Sequence, residues 1–112
     1  MKIMATGNEQ DLLYSDFGGD ADLGDLVEMF VSEIPDRIQS MLQAAEAADW
    51  EQLGRVAHQI KGAAGSYGFG GVTPIAADLE RACRESGTAE AIRQGLEELV
   101  DMCRRMRGGL PT

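Results

Sequence analysis

The chain contains a single histidine, His58, and its neighbours are spaced as they would be on one face of a helix. Winding the segment from Trp50 to Tyr67 at about 100° per residue places two different sets of residues on opposite sides. One side is an apolar stripe of Leu53, Val56, Ala57, Ile60, Ala63, Ala64 and Tyr67. The other side carries His58, Lys61, Gly62, Gly65 and Ser66. The pattern therefore predicts an imidazole that points away from the core. On spacing alone, this position fits an ordinary surface histidine as well as a reactive one.

Two glycines beside the histidine favour the reactive interpretation. Gly62 and Gly65 lie inside the predicted helix, where each glycine costs about 1 kcal/mol relative to alanine. Both lie off the core stripe, so close packing of helices does not explain them, and they clear side chains from the surface beside His58. A bare surface suits a protein that must bring a reactive group up to a ring nitrogen. Lys61, one turn on, could face an anion held there, although alone it would be read as a solvated lysine.

Composition and charge exclude several other functions. The 112 residues include 10 lysines and arginines and 19 aspartates and glutamates, and the resulting formal charge of -9 argues against binding nucleic acid or anionic membranes. One histidine and two cysteines are too few for a structural zinc site. Cys83 and Cys103 fall at apolar helical positions and are interpreted as reduced core residues. No apolar run reaches the ~20 residues of a membrane span, and no signal-peptide stretch begins the chain, so we expect a cytoplasmic protein.

The remaining sequence predicts the helices that must position this segment. Residues 1–19 are expected to be a lead-in, 20–108 a single domain and 109–112 a tail. Apolar residues at helical spacing predict helices over about 20–34, 35–48, 50–67, 73–86 and 88–107. Their predicted N-caps include Asp20, Asp49, Thr73 and Thr88.

Pro35 divides the first two of these segments, because proline breaks or kinks a helix or begins a new one. No segment shows the sustained alternation of apolar and polar residues that is typical of a strand. Since the linkers are short, we expect an all-α fold, an up-and-down antiparallel four-helix bundle with an additional N-terminal helix.

The segment Ala57-His58-Gln59-Ile60-Lys61-Gly62-Ala63-Ala64-Gly65-Ser66-Tyr67-Gly68 resembles the histidine-containing phosphotransfer (HPt) domain family. The hallmark of that family is a histidine followed by a lysine, a glycine, small residues over the next turn and a further glycine. The resemblance continues downstream at Leu79-Glu80. Upstream, it includes Phe30, Glu33, Pro35, Leu42, Ala45 and Asp49. It covers roughly residues 20–107, which is most of the chain.

The resemblance implies a phosphoryl carrier in a two-component phosphorelay. His58 would accept a phosphoryl group on Nε2 from the aspartate of one response-regulator receiver domain and pass it to the aspartate of another. Lys61 would neutralise the phosphoryl oxygens. Glu80 would accept a hydrogen bond from Nδ1 of His58, which leaves Nε2 unprotonated and nucleophilic. The receiver would dock on Gly62, Gly65, Ser66 and Phe69, and exposed parts of the helix over 35–48 are further candidates that the sequence does not single out.

The resemblance also sets expectations for cofactors and partners. The chain should need no cofactor or metal of its own, because the receiver would supply Mg²⁺ and carboxylates. It has no P-loop or other nucleotide-binding loop, so we expect a carrier and not a kinase or other enzyme. The expected partners of this monomer are receiver domains and a sensor (hybrid) histidine kinase. Two alternatives stay open: a helical interaction module that never carries phosphate, and the phosphoacceptor domain of a larger histidine kinase.

Overall fold

The computed structural model describes residues 12–85 and 87–111, and within them the chain is mostly helical. The elements, in order, are β1 (Leu13–Tyr14), α1 (Gly24–Glu46), α2 (Trp50–Ser66), α3 (Thr73–Arg84), α4 (Ala89–Arg105) and β2 (Met106–Arg107). Helices α1 and α2 run antiparallel, since Phe30 packs on Tyr67 whereas Arg37 donates a hydrogen bond to Gln59 at 3.2 Å. The predicted bundle of four helices is confirmed among the described residues.

The additional N-terminal helix predicted over 20–34 is wrong as a separate element. Residues 24–46 form the single helix α1, with Pro35 inside it. A proline within a helix removes one backbone hydrogen bond and crowds the preceding turn. Here the apolar stripe keeps its phase across the proline, so that Ile34 and Ile38 are both buried while Pro35 faces solvent. Burial of about 1.5–3 kcal/mol per large apolar side chain on both sides of Pro35 outweighs that local cost.

The expectation that no segment forms a strand is wrong at two short segments, β1 and β2. β1 pairs in parallel with β2, with Leu13 opposite Met106 and Tyr14 opposite Arg107. Strands of two residues are too short to show an alternating pattern, which explains why periodicity misses them. The pairing joins the segment before α1 to the end of α4.

Residues 15–17 contact the C-terminal end of α2. The Ser15 hydroxyl donates a hydrogen bond to the carbonyl of Tyr67, and the Asp16 N–H donates to the carbonyl of Gly68 at 3.0 Å. Gly68 has a φ of 86°, and a Cβ there would lie 2.5 Å from the Ser15 hydroxyl oxygen. Only glycine fits such a position, because it combines the left-handed backbone with close approach of another segment. The predicted lead-in therefore includes residues that pack on the fold; residues 1–11 lie outside the described part.

Two of the predicted N-caps, Asp49 and Thr88, are confirmed. Thr73 is wrong as an N-cap, because it is the first residue of α3, Val72 precedes the helix, and no side-chain hydrogen bond caps it. The Asp49 carboxylate accepts a hydrogen bond from the Gln52 N–H at 3.1 Å, and the Thr88 hydroxyl accepts one from the Ala91 N–H at 3.0 Å. These bonds satisfy backbone donors that have no partner within the helix. Asp20 caps the turn that precedes α1, since its carboxylate accepts N–H groups in that turn, and α1 itself begins at Gly24.

A single apolar core lies between the four helices. Its buried side chains include Val27, Phe30, Met41, Leu53, Ile60, Leu79, Ile92 and Leu99. Both cysteines are free thiols; Cys103 is buried as predicted, whereas Cys83 is only half-buried. Burial of the Leu53 and Ile60 side of α2 fixes which face of that helix is left open. In residues 12–85 and 87–111, no helix has both the length and the apolar character needed to span a bilayer.

Candidate functional site

Helix α2 presents His58 on its open face. The residues before and after it in the sequence, Ala57 and Gln59, differ in burial: Ala57 is fully buried, and Gln59 is exposed at the border with α1. The His58 side chain itself is 63% exposed. The predicted orientation of the imidazole, away from the core, is confirmed by this exposure.

Glu80 of α3 holds the His58 ring from one side. The Nδ1 atom of His58 lies 2.9 Å from Oε2 of Glu80. An ionised carboxylate can only accept hydrogen bonds, so Nδ1 must carry the proton that it donates. In a neutral ring, this leaves Nε2 unprotonated, with its lone pair available to an electrophile. The geometry matches the contact that the family resemblance implied between these two residues.

Two cations also lie close to the same carboxylate. Nζ of Lys61 donates to Oε1 of Glu80 at 2.7 Å, and a guanidinium nitrogen of Arg84 lies 3.7 Å from Oε2. The hydrogen bond from Lys61 is the main cause that lowers the pKa of Glu80 from its ordinary 4.5; burial opposes the lowering, and the bond with His58 adds to it. Glu80 is therefore an anion at neutral pH although its side chain is only 16% exposed.

Gly54 allows α3 to approach α2 closely enough for these contacts. A Cβ on Gly54 would lie 3.1 Å from Cβ of Cys83 and 3.9 Å from the carbonyl oxygen of Glu80. Gly54 lies one helical turn before His58, so the close approach occurs beside the reactive ring. Sequence reasoning missed this residue. Its signal was a third glycine inside the helical segment, four residues before His58 and so on the same side of the helix; α3 covers it in the folded chain.

Two predicted docking glycines border open space or ordinary contacts. A Cβ on Gly62 would meet nothing within 4 Å, and one on Gly65 would meet only the Thr73 hydroxyl at 3.5 Å. Ser66 is exposed beside them. Close packing therefore does not require glycine at either position, and the surface beyond His58 is bare, as the sequence predicted.

Phe69 does not belong to this surface, and its predicted place there is wrong. The ring is 3% exposed and lies 6.0 Å from the ring of Phe30 in α1. The chain turns back after α2 at Gly68, which directs the aromatic side chain inward. Exposed apolar side chains near the same end of α2 come instead from α1, where Leu26 is 41% and Met29 is 58% exposed.

An open cleft of about 510 Å³ lies beside His58 toward the N-terminal end of α2, away from Gly62 and Gly65. It is lined by Trp50, Glu51, Gly54, Arg55, His58, Glu80, Cys83 and Arg84. A second groove of similar size, about 480 Å³, lies between α1 and α4 and contains none of the predicted site residues. In the described part of the chain, no three histidine, cysteine, aspartate or glutamate side chains converge as a metal site would require.

Comparison with family models gives a match to the Hpt domain over residues 25–109. The matched range contains the four helices, except the first residue of α1, and the three residues of the hydrogen-bonded cluster, His58, Lys61 and Glu80. Comparisons with curated proteins and with solved structures gave no match.

Proposed function

Because the chain belongs to the Hpt domain family, we propose that it is a phosphoryl carrier with His58 as its phosphoacceptor. Hpt domains carry phosphoryl groups on histidine in two-component phosphorelays, and they are phosphocarriers and not kinases. One observation supports His58 above all: an imidazole that is 63% exposed is held by Glu80 at 2.9 Å through Nδ1. That arrangement suits attack through Nε2 by a ring that a partner can reach.

The proposed transfer is a direct exchange between two side chains. The lone pair of His58 Nε2 attacks the phosphorus of an aspartyl phosphate on the donor receiver domain. The N–P bond forms as the P–O bond to the aspartate breaks, and the aspartate leaves as a carboxylate with the bonding electrons. The proton stays on Nδ1, so the ring gains positive charge, which the Glu80 anion stabilises through the 2.9 Å hydrogen bond. Delivery to the aspartate of a second receiver reverses these steps.

This chain would contribute mainly by aligning the imidazole with the phosphoryl group. Phosphoryl transfer passes through a loose transition state, and catalysis depends on alignment and on neutralising the charge of the equatorial oxygens. Glu80 aligns the ring, and Lys61, one turn after His58, is the cation that could turn to the phosphoryl oxygens. The receiver would bring the remaining carboxylates and Mg²⁺.

We place the receiver on the bare face of α2 and the neighbouring part of α1. Gly62, Gly65 and Ser66 form the flat part of this docking surface. Leu26 shares a face with Arg37, which bonds to Gln59 of α2, because eleven residues are about three helical turns. Leu26 and Met29 therefore border the Ser66 end of α2 and supply the apolar contact that Phe69 cannot.

Incubation with a ³²P-phosphorylated receiver domain tests the proposed function. We expect acid-labile, base-stable label on the wild-type chain and none on His58→Gln, since phosphohistidine has that stability and glutamine cannot form it. Wild-type chain that binds the receiver without taking label would support a plain interaction module. Label that persists on His58→Gln would refute the assignment of His58.

A further inference from the structure

The role proposed for Lys61 conflicts with the position of its side chain in the structure. Lys61 is expected to neutralise a phosphoryl group on His58, but its ammonium group donates to Oε1 of Glu80 at 2.7 Å. To serve the phosphoryl oxygens, Lys61 must leave Glu80. The Glu80 carboxylate, only 16% exposed, would then lose its shortest cationic contact in the very state in which it must hold a charged ring.

Arg84 lies where it can provide the cationic contact that Glu80 would lose. It lies one helical turn after Glu80 on α3, and its guanidinium nitrogen is 3.7 Å from Oε2, the oxygen that also accepts from His58. Among the described residues, Lys61 and Arg84 are the lysine and arginine side chains within 4.0 Å of this carboxylate. A separation of 3.7 Å is longer than a hydrogen bond, and the Arg84 side chain is 63% exposed, so it has room to close on Glu80.

We propose that Arg84 is a positioning residue that replaces Lys61 as the counter-ion of Glu80 when Lys61 turns to the phosphoryl group. This inference rests on the proposed function of His58. In the resting protein, Lys61 holds Glu80, and Arg84 contributes little, as is usual for an exposed ion pair. Once His58 carries a phosphoryl group, a strong new anion competes for Lys61. Arg84 then keeps Glu80 charged and fixed beside Nδ1, without touching the phosphoryl group itself.

The test is a double-mutant cycle on the rate of acceptance from a ³²P-phosphorylated receiver domain. We expect Lys61→Ala to lower the rate about tenfold, because it removes the cation proposed for the phosphoryl oxygens, and Arg84→Gln about fivefold, the size of losing one exposed charge partner. In Lys61→Ala, Arg84 is the remaining cation beside Glu80, so adding Arg84→Gln should slow acceptance at least a further fivefold, to about fiftyfold or more in the double variant. Arg81→Gln is the matched control, because Arg81 lies on the same helix, is 54% exposed and pairs with Asp78 instead.

Further readouts separate positioning from a structural role. The Nδ1–H tautomer of unphosphorylated His58, followed by ¹⁵N NMR, should be unchanged in Arg84→Gln, because Lys61 still holds Glu80 there. Arg84→Lys keeps the charge and should retain at least about half of the wild-type rate. A double variant no slower than Lys61→Ala, a wild-type rate in Arg84→Gln, or an Arg84→Lys chain as slow as Arg84→Gln would each overturn the inference. Wild-type chain that takes no label would instead refute the proposed function.

Discussion

Gly62 should be a position where stability and phosphotransfer change in opposite directions. It lies inside α2, is exposed, and leaves an added Cβ with no neighbour within 4 Å. Gly62→Ala should therefore gain the helix propensity of alanine, about 0.8–1 kcal/mol, with no clash to offset it. For a chain of this size that gain corresponds to a rise in Tm of about 4 °C, or about 0.5 M in the urea midpoint. Circular dichroism melts and urea titrations measure both.

The rate of transfer from a receiver should fall in variants of Gly62, because a side chain at this position occupies the proposed docking surface. Gly62→Gln should be nearly as stable as Gly62→Ala, since glutamine is also a good helix former, but it should accept phosphate at least about fivefold more slowly. Phosphoramidate, a small phosphodonor, needs no docking surface, so labelling from it should be unaffected by either substitution.

Gly95 provides the matched control for these variants. It also lies within a helix, and an added Cβ would make an ordinary contact of 3.5 Å with Leu79. Gly95→Ala should gain stability without slowing transfer, because it lies on α4 and outside the proposed docking surface. Wild-type transfer by Gly62→Gln would refute the idea that Gly62 is kept clear for a partner. A loss of stability in Gly62→Ala would refute the structural basis of the calculation.

Three further predictions address charge, thiols and docking. Because the pKa of Glu80 is held below 4.5, its charged contacts stabilise the fold above that pH. The stability that wild type has over Glu80→Gln in urea unfolding should therefore shrink as the pH falls below about 4.5; an undiminished difference at pH 3 would contradict this. Burial raises the pKa of Cys103 to about 12 and raises that of Cys83 to a lesser extent, so a thiol reagent at pH 8 should modify Cys83 first and Cys103 only after unfolding; equal rates in the folded protein would argue against this burial. Leu26→Glu should slow transfer from a receiver, whereas Leu42→Glu, on the same helix and 42% exposed but lining the groove toward α4, should not; equal effects would remove Leu26 from the docking surface.

The outward orientation of His58 was predictable because it depends on residues within one helix. The apolar stripe through Leu53 and Ile60 sets which face is buried, and the Asp49 carboxylate caps the N-terminus of that helix. Such features follow from spacing and from hydrogen bonds over three or four residues. The Hpt family match and the four-helix bundle agree with what these local patterns and the motif around His58 implied.

The features that the sequence did not predict depend on contacts between distant segments. Phe69 was expected at the surface, but its burial depends on the aromatic ring of Phe30, which only the folded chain brings next to it. Pro35 was expected to break or kink a helix or to begin a new one, but core packing on both sides of it keeps α1 continuous. Lys61 was expected to await an anion, yet α3 brings it a carboxylate already in place, because Gly54 lets that helix come close.

The openness of the His58 ring also bears on how long a signal could be kept. A phosphoryl group on Nε2 would stand in bulk water, since no segment of the described chain covers a ring that is 63% exposed. The lifetime of the phosphohistidine would then be limited by hydrolysis of its exposed N–P bond. Such a carrier would keep the phosphoryl group for a limited time. The concentration of unphosphorylated acceptor receivers would then decide what fraction of the phosphoryl groups is transferred before the N–P bond is hydrolysed.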